Sequence, residues 1–290
     1  MFTGIQNKLK ECLQATLNEY GNITNVKPVG GGSINATYSF SCAGLSCFVK
    51  INDAGLYPEM FEKEAAGLKL LKEHSSFVIP EVILLSQTEK KSFMVLSYLE
   101  KSAEGEQYWE QLGRGLAKQH KVTDALFGLD HDNYMGSLKQ SNKQQETFTG
   151  FFITQRIEPL LAKALDKKYL GREITRNFEN LFRRLDEIIP PEQPAFLHGD
   201  LWNGNVMPVK GGASVFDPAV YFGHREADVA MTKLFGGFSP LFYEYYRDEF
   251  PLEKEWEKRI TVFNLYPLLV HVNLFGGGYI HEVRSVISKY

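Results

Sequence analysis

The sequence has 290 residues, enough for one large domain or two lobes with a substantial buried core. Its 43% hydrophobic, 13% aromatic and 23% charged residues are those of an ordinary globular protein and exclude the disordered and fibrous classes. A formal net charge of -3 gives no basic surface for nucleic acid or an anionic membrane, and three cysteines without Cys-x-x-Cys spacing give neither a disulfide framework nor a zinc site.

The chain opens on Ile5, Leu9, Cys12, Leu13, Leu17 and Tyr20 at three-to-four-residue intervals, the stripe of an amphipathic surface helix. Lys8, Lys10, Glu11 and Glu19 interrupt that opening, and no apolar run is long enough to span a bilayer. The expectation is therefore no signal peptide, no membrane partner and a reducing cytoplasm. Short β-branched and aromatic runs follow at Ile23–Val29, Ile34–Ser41, Leu45–Ile51, Val82–Leu85 and Ser92–Leu99, separated by turn residues. One helix interrupts these strands, Pro58–His74, with proline at its start and Phe61, Ala65, Leu68 and Leu71 at helical spacing.

Beyond about Glu104 the period becomes helical, at Gln107–Val122, Phe148–Leu165, Glu173–Ile189, Glu226–Phe235 and Glu253–Val272. The polar stretch Lys139–Glu146 reads as an exposed loop. Between Ala195 and Tyr221, Gly and Asn residues surround a short apolar strand, Ala213–Phe216, and polar chemistry is concentrated there. The expected fold is α+β and bilobal: a small antiparallel sheet lobe with one main helix over residues 1–99, and a larger helical lobe over 100–290.

Asp200 and Asn205 stand five residues apart in His198-Gly-Asp-Leu-Trp-Asn-Gly-Asn205, the spacing that phosphoryl transfer uses. A carboxylate must take the proton of the attacking hydroxyl, and a side-chain oxygen five residues on can hold Mg²⁺ against nucleotide phosphates. Asp217, at the end of the Ala213–Phe216 strand, supplies a second metal-binding carboxylate. Upstream, Gly30-Gly31-Gly32-Ser33 sits between two strands, where its amides can cap phosphates. Lys50, one strand later, is the expected phosphate-binding ammonium, with Glu64 its ion-pair partner in preference to Glu62. In a kinase so built, adenine pairs with the backbone between the lobes, here Ser97, Tyr98 and Leu99.

In this order the motifs resemble the fructosamine (ketosamine) kinase family, a protein-kinase-like fold related to aminoglycoside phosphotransferases and choline kinases. The resemblance extends through Phe127-Gly-Leu-Asp-x-Asp-Asn-Tyr-Met-Gly, Gln155-Arg-Ile-Glu-Pro-Leu-Leu, Tyr221-Phe-Gly-His-Arg-Glu-Ala-Asp-Val-Ala-Met and Phe275-Gly-Gly-Gly-Tyr279, so it covers essentially the whole chain. It implies ATP- and Mg²⁺-dependent phosphorylation of a sugar hydroxyl on small-molecule or protein-bound ketosamines, hence glycation repair. By the same resemblance Asp200 is the proton acceptor, Asn205 and Asp217 the metal ligands, and Lys50 with Glu64 the phosphate clamp. Ser33 stands where some relatives carry a cysteine, so redox control at that position is not expected.

Trp202 is not demanded by phosphoryl transfer, and its indole is a candidate for packing on the sugar or amine or for ordinary burial. His198 reads as a residue holding the loop, and His120 as a packed histidine. Glu226 is either a substrate contact or, like Asp228, a helix-start cap. Tyr266 and His271 are candidates for the acceptor cleft, with core positions equally open. The expected assembly is a monomer or weak homodimer. Two other readings stand beside the ketosamine one: an aminoglycoside- or choline-type phosphotransferase, and a non-catalytic nucleotide-binding protein.

Overall fold

The structure is a computed structural model that describes residues 2–17, 21–30 and 34–290. Gly31, Gly32 and Ser33 of the glycine-rich segment lie outside the described residues. In chain order the first half comprises α1 (Gln6–Leu17), β1 (Thr24–Pro28), β2 (Ala36–Cys42), β3 (Leu45–Asp53), α2 (Met60–His74), β4 (Val82–Gln87), β5 (Lys91–Ser97) and α3 (Glu106–Gln119). The strands form one antiparallel sheet in the order β1-β2-β3-β5-β4.

Strand alternation decides what this sheet does. On β3, Cys47, Val49 and Ile51 turn to one face, where they are buried with Ile5, Leu9 and Leu13 of α1 and with Phe93 and Val95 of β5. Phe48 and Lys50 turn to the other face, which packs toward the rest of the molecule. Each fully buried leucine on α1 contributes about 1.5–3 kcal/mol by leaving water, so the leading helix holds the sheet on the side away from the cleft. On the cleft side, Gly67 of α2 lets Pro218 approach: a Cβ there would meet the proline ring at 3.2 Å.

The second half continues with β6 (Asn133–Met135), β7 (Leu138–Gln140), α4 (Phe148–Phe151), α5 (Glu158–Asp166), α6 (Thr175–Ile188) and β8 (Ala195–Leu197). It closes with β9 (Val206–Val209), β10 (Gly212–Val215), β11 (Tyr221–Gly223), α7 (Glu226–Met231), α8 (Pro240–Glu249), α9 (Trp256–Phe263), α10 (Leu265–Phe275) and α11 (Tyr279–Ile287). The short strands pair two by two, β6 with β7, β8 with β11 and β9 with β10. The β8–β11 pair flanks the polar segment 198–217, and the β9–β10 pair lies within it. No helix among the described residues is long and apolar enough to cross a membrane.

Several expected helices are divided. The expected Phe148–Leu165 helix carries a π-helical segment, Phe152–Ile157, between α4 and α5. Its Arg156 is 1% exposed, lies against the rings of Phe151 and Tyr221 and donates to Asn142 Oδ1. The expected Glu253–Val272 helix is two, broken at Asn264, because Pro267 in the first turn of α10 has no N–H for the carbonyl of Phe263. The helix expected to run to Phe235 ends at Met231, ahead of Phe235, Gly236 and Gly237, which all adopt positive φ.

Candidate active site

A cleft of about 690 Å³ lies between the sheet and the helices, and Lys50, Glu64, Asp200, Asn205 and Asp217 all line it. Lys50 reaches it because β3 is the central strand, with Thr37 of β2 and Met94 of β5 as its cross-strand partners. Its Nζ donates to Glu64 Oε1 at 2.6 Å and to Asp217 Oδ1 at 2.8 Å. Burial alone would lower the pKa of this ammonium, but the carboxylates of Asp217 and Glu64 outweigh it and hold the group charged. Burial raises the pKa of Glu64 in turn, with Lys50 opposing and Asp217 reinforcing. Glu62, the competing partner, is exposed on the opposite side of α2.

The loop after β8 is fixed by bonds local and distant. Gly199 has a φ of +82°, and a Cβ there would stand 2.1 Å from the carbonyl oxygen of Ala219, so only glycine fits. His198 donates from Nε2 to the Phe216 carbonyl at 3.1 Å and accepts the Asp200 amide at Nδ1 at 3.3 Å. Burial keeps its pKa below the ordinary histidine value, against the pull of Asp228. Both ring nitrogens are committed to the loop, which makes His198 a structural residue rather than a base.

Asn205 donates from Nδ2 to both the backbone oxygen and the Oδ2 of Asp200, at 2.9 and 3.0 Å. That orients the Asp200 carboxylate, and among the described residues no donor bonds Asn205 Oδ1, whose residue lines the same cleft as Asp217. Asp217 itself holds a φ of +55°, a sparsely populated conformation for a residue with a side chain. Burial, with Asp217 adding to it, pushes the pKa of Asp200 up to about 7. An amide oxygen and a carboxylate are hard donors suited to Mg²⁺, which keeps waters and phosphate oxygens for its other positions. Among the described residues no cluster of three His, Cys, Asp or Glu offers a competing metal site.

At the joining segment β5 ends at Ser97, two residues short of the expected strand. The Ser97 amide is taken by the Glu81 carbonyl and the Tyr98 amide by the Ser46 carbonyl. The Leu99 amide donates to nothing among the described residues, and Leu99 lines the cleft. Phe48, Pro80, Leu96, Met207 and Phe216 line the same cleft as Leu99 and give it an apolar lining of the kind a flat base packs on.

Trp202 lines the cleft with its indole lying over Gly204, where a Cβ would meet the ring at 2.3 Å. Two expected substrate residues are corrected. Glu226 is only 2% exposed and pairs through both oxygens with Arg259, so a buried ion pair takes up the carboxylate away from the cleft. Tyr266 sits a turn deeper along α10 than the cleft-lining Val270 and His271, with its hydroxyl donating to Gln140 Oε1.

Asp228 is the residue whose part sequence alone did not reveal. It is 1% exposed and accepts the amides of His198 at 2.7 Å and Gly199 at 2.9 Å, with His120 Nε2 3.2 Å away. Tyr246 in turn bonds His120 Nδ1 at 2.8 Å. These partners lie about 30 and 108 residues from Asp228 in sequence, so no local spacing signals them.

The fructosamine kinase family model matches residues 5–290. A Vibrio parahaemolyticus protein described as a probable ketoamine kinase is 39% identical, over 100% of this chain and 99% of its own length. A crystal structure from Haemophilus somnus 129PT described as a "putative fructosamine-3-kinase" superposes with a TM-score of 0.90 at 28% identity, covering 99% of this chain and 98% of that one. The aminoglycoside phosphotransferase APH(4)-Ia shares the fold alone, with a TM-score of 0.65 at 14% identity over 99% of each chain. The architecture is thus the protein-kinase-like α+β fold, the molecule is a kinase, and the chain belongs to the fructosamine kinase family.

Proposed function

We propose that this protein transfers the γ-phosphoryl group of ATP to a hydroxyl of the sugar moiety of a ketosamine, with Mg²⁺, in the removal or metabolism of glycation adducts. The observation that carries the reading is the convergence in one cleft of the Lys50–Glu64–Asp217 cluster and the Asp200–Asn205 pair.

In this reading residues 1–99 bind the nucleotide and residues 100–290 carry the catalytic loop and the acceptor. Leu99, with Ser97 and Tyr98, presents backbone groups to adenine, and Gly31, Gly32 and Ser33 cover the phosphates. Lys50, held by Glu64, binds the α- and β-phosphates. Asn205 Oδ1 and Asp217 hold Mg²⁺, which neutralises charge on the phosphates when bound. Asp200 takes the hydroxyl proton as the acceptor oxygen bonds to γ-phosphorus and the bond to the ADP oxygen breaks. Asn205 keeps the Asp200 carboxylate aimed throughout. The charge balance and cysteine usage support a cytoplasmic location, the family supports a small-molecule or protein-bound ketosamine as the acceptor, and the assembly in this reading is a monomer or weak homodimer.

The test is Mg²⁺-dependent ADP release with a ribulose- or fructose-lysine adduct, against the free sugar and an aminoglycoside. Selective turnover of the adduct is expected. Activity on the aminoglycoside alone would keep the phosphoryl-transfer mechanism and overturn the acceptor, whereas no ADP release with any acceptor would favour a nucleotide-binding protein without catalysis.

A further inference from the structure

The cleft continues past Asp200 into an aromatic end that phosphoryl transfer does not require. The Trp202 indole meets the Phe235 ring edge-on at 5.7 Å, Phe235 lies 4.8 Å from the His271 imidazole, and His271 lies 4.9 Å from Tyr279 and 5.6 Å from Phe275. All five rings line the cleft, and Phe275, 52% exposed, stands at its mouth. They come from three separate places, the catalytic loop, the positive-φ turn after α7 and the α10–α11 junction, so the cluster is assembled by the fold.

The chemistry of this end is unlike that of the phosphate end. Among the described lining residues the carboxylates are Glu64, Asp200 and Asp217, which belong to the phosphate machinery. A polycationic acceptor needs several carboxylates near its ammonium groups, and the aromatic end has one, Glu282, which acts on His271 from outside the described lining. Tilted and edge-on rings lining a cleft instead suit a flat apolar group and a single cation, which they attract through their π faces.

His271 gives this end a direction. Its Nδ1 lies 2.8 Å from the Pro267 carbonyl oxygen. A carbonyl only accepts, so Nδ1 carries the proton, and in the neutral ring Nε2 is then an acceptor with no donor among the described residues. Burial lowers the pKa of His271, against the Pro267 bond and the carboxylate of Glu282, which favours that neutral form.

We propose that this aromatic end is the subsite for the amine half of the acceptor: His271 Nε2 accepts the N–H of the secondary ammonium, and Phe235, Phe275 and Tyr279 pack against its substituent. Trp202, between this subsite and Asp200, spans the junction of sugar and amine. The subsite makes the enzyme selective for ketosamines whose amine carries a flat or apolar substituent. This rests on the ketosamine reading of the acceptor given above.

The experiment compares KM for three acceptors, fructose carrying N-benzyl, N-methyl or O-benzyl at its first carbon, in the wild-type protein and in His271→Ala, His271→Gln, Phe235→Ala and Tyr279→Ala. KM for ATP reports an intact fold. In the wild type the N-benzyl compound is expected to show a KM about tenfold below both others, roughly the 1.4 kcal/mol of one good ring contact or charged hydrogen bond. His271→Ala should remove the preference of N-benzyl over O-benzyl, with partial recovery in His271→Gln. Phe235→Ala and Tyr279→Ala should reduce the preference of N-benzyl over N-methyl, and KM for ATP should stay within twofold in all four.

Turnover of both ketosamines with equal KM in the wild type, or preferences unchanged in the variants, overturns the amine subsite and leaves the ketosamine reading standing. A wild-type protein that turns over neither ketosamine overturns that reading and the subsite together.

Discussion

The Asp228 carboxylate accepts the His198 backbone amide at 2.7 Å, joining the start of α7 to the loop after β8. Its other oxygen takes the Gly199 amide at 2.9 Å, so one buried side chain satisfies two adjacent donors just before Asp200. Asp228→Ala would leave both amides and His120 without their acceptor. Buried hydrogen bonds to a charged group are worth about 1.5–3 kcal/mol each, so a destabilisation of several kcal/mol is expected. Thermal unfolding and turnover of Asp228→Asn separate the roles: a fall in kcat of at least tenfold in a still-folded protein supports loop positioning. Wild-type kcat in the folded variant would limit Asp228 to stability.

In the proposed reading Asp200 acts in the chemistry and adds little to folding, because burial already disfavours its charged form. Asp200→Ala should lower kcat by about 10²–10⁴, the range for a lost general base, while the unfolding temperature holds or rises. Steady-state ADP release and a thermal melt on the same preparation check both parts. Retained turnover removes Asp200 from the proton-transfer role. Asp217→Ala should act on nucleotide binding instead, and an ATP titration with and without Mg²⁺ should lose its metal dependence; unchanged affinity would take Asp217 out of the site.

The two glutamates at the start of α2 make a controlled pair. Glu64 lies 2.6 Å from Lys50 Nζ, whereas Glu62 faces solvent two residues earlier. Glu64→Gln should raise KM for ATP about tenfold, the loss of a charge-assisted bond that fixes the lysine. Glu62→Gln should change it less than twofold. Equal effects of the two substitutions would show that Lys50 is positioned by something other than Glu64.

His224 gives a pH dependence of stability with a defined sign. It is fully buried, with Nε2 bonded to the Pro190 carbonyl at 3.1 Å and Nδ1 accepting the Glu226 amide at 3.2 Å. That pair of bonds fits only the neutral ring, and burial pushes its pKa down from the ordinary 6.5 to about 4. The unfolded chain takes up this proton near pH 6.5 and the folded one does not, so stability falls as pH drops from about 6.5 towards 4. Between pH 7 and pH 5 the loss from this one group is about 2 kcal/mol. Denaturant unfolding at the two pH values should show His224→Gln losing less stability than the wild type over that interval. An identical loss in both would place the acid sensitivity elsewhere.

Residues whose placement depends on near neighbours are legible in the sequence. Asp200 and Asn205 are fixed in relation to one another by a five-residue loop, and Lys50 takes its face from strand alternation beside Val49 and Ile51. The leading helix, the five strands and the helix carrying Glu64 were legible in the same way, since each announces itself through its own apolar period. Helix ends were less so: Pro267 and the positive-φ residues 235–237 divide or shorten stretches whose apolar period continues unbroken.

What the sequence by itself determined is therefore which polar residues share a loop or a strand face and the order of the strands and helices, because periodicity and loop spacing are local properties of the chain. Only the tertiary structure decided which polar residues meet. It put Glu226 into a buried pair with Arg259, turned Tyr266 into the core and His271 into the cleft, and brought Asp228 to amides 30 and 29 residues away. The physical reason is that a buried charge or hydrogen-bonding group takes whatever partner packing delivers, and the packing of α7 on the loop and of α9 on α7 joins residues far apart in the chain.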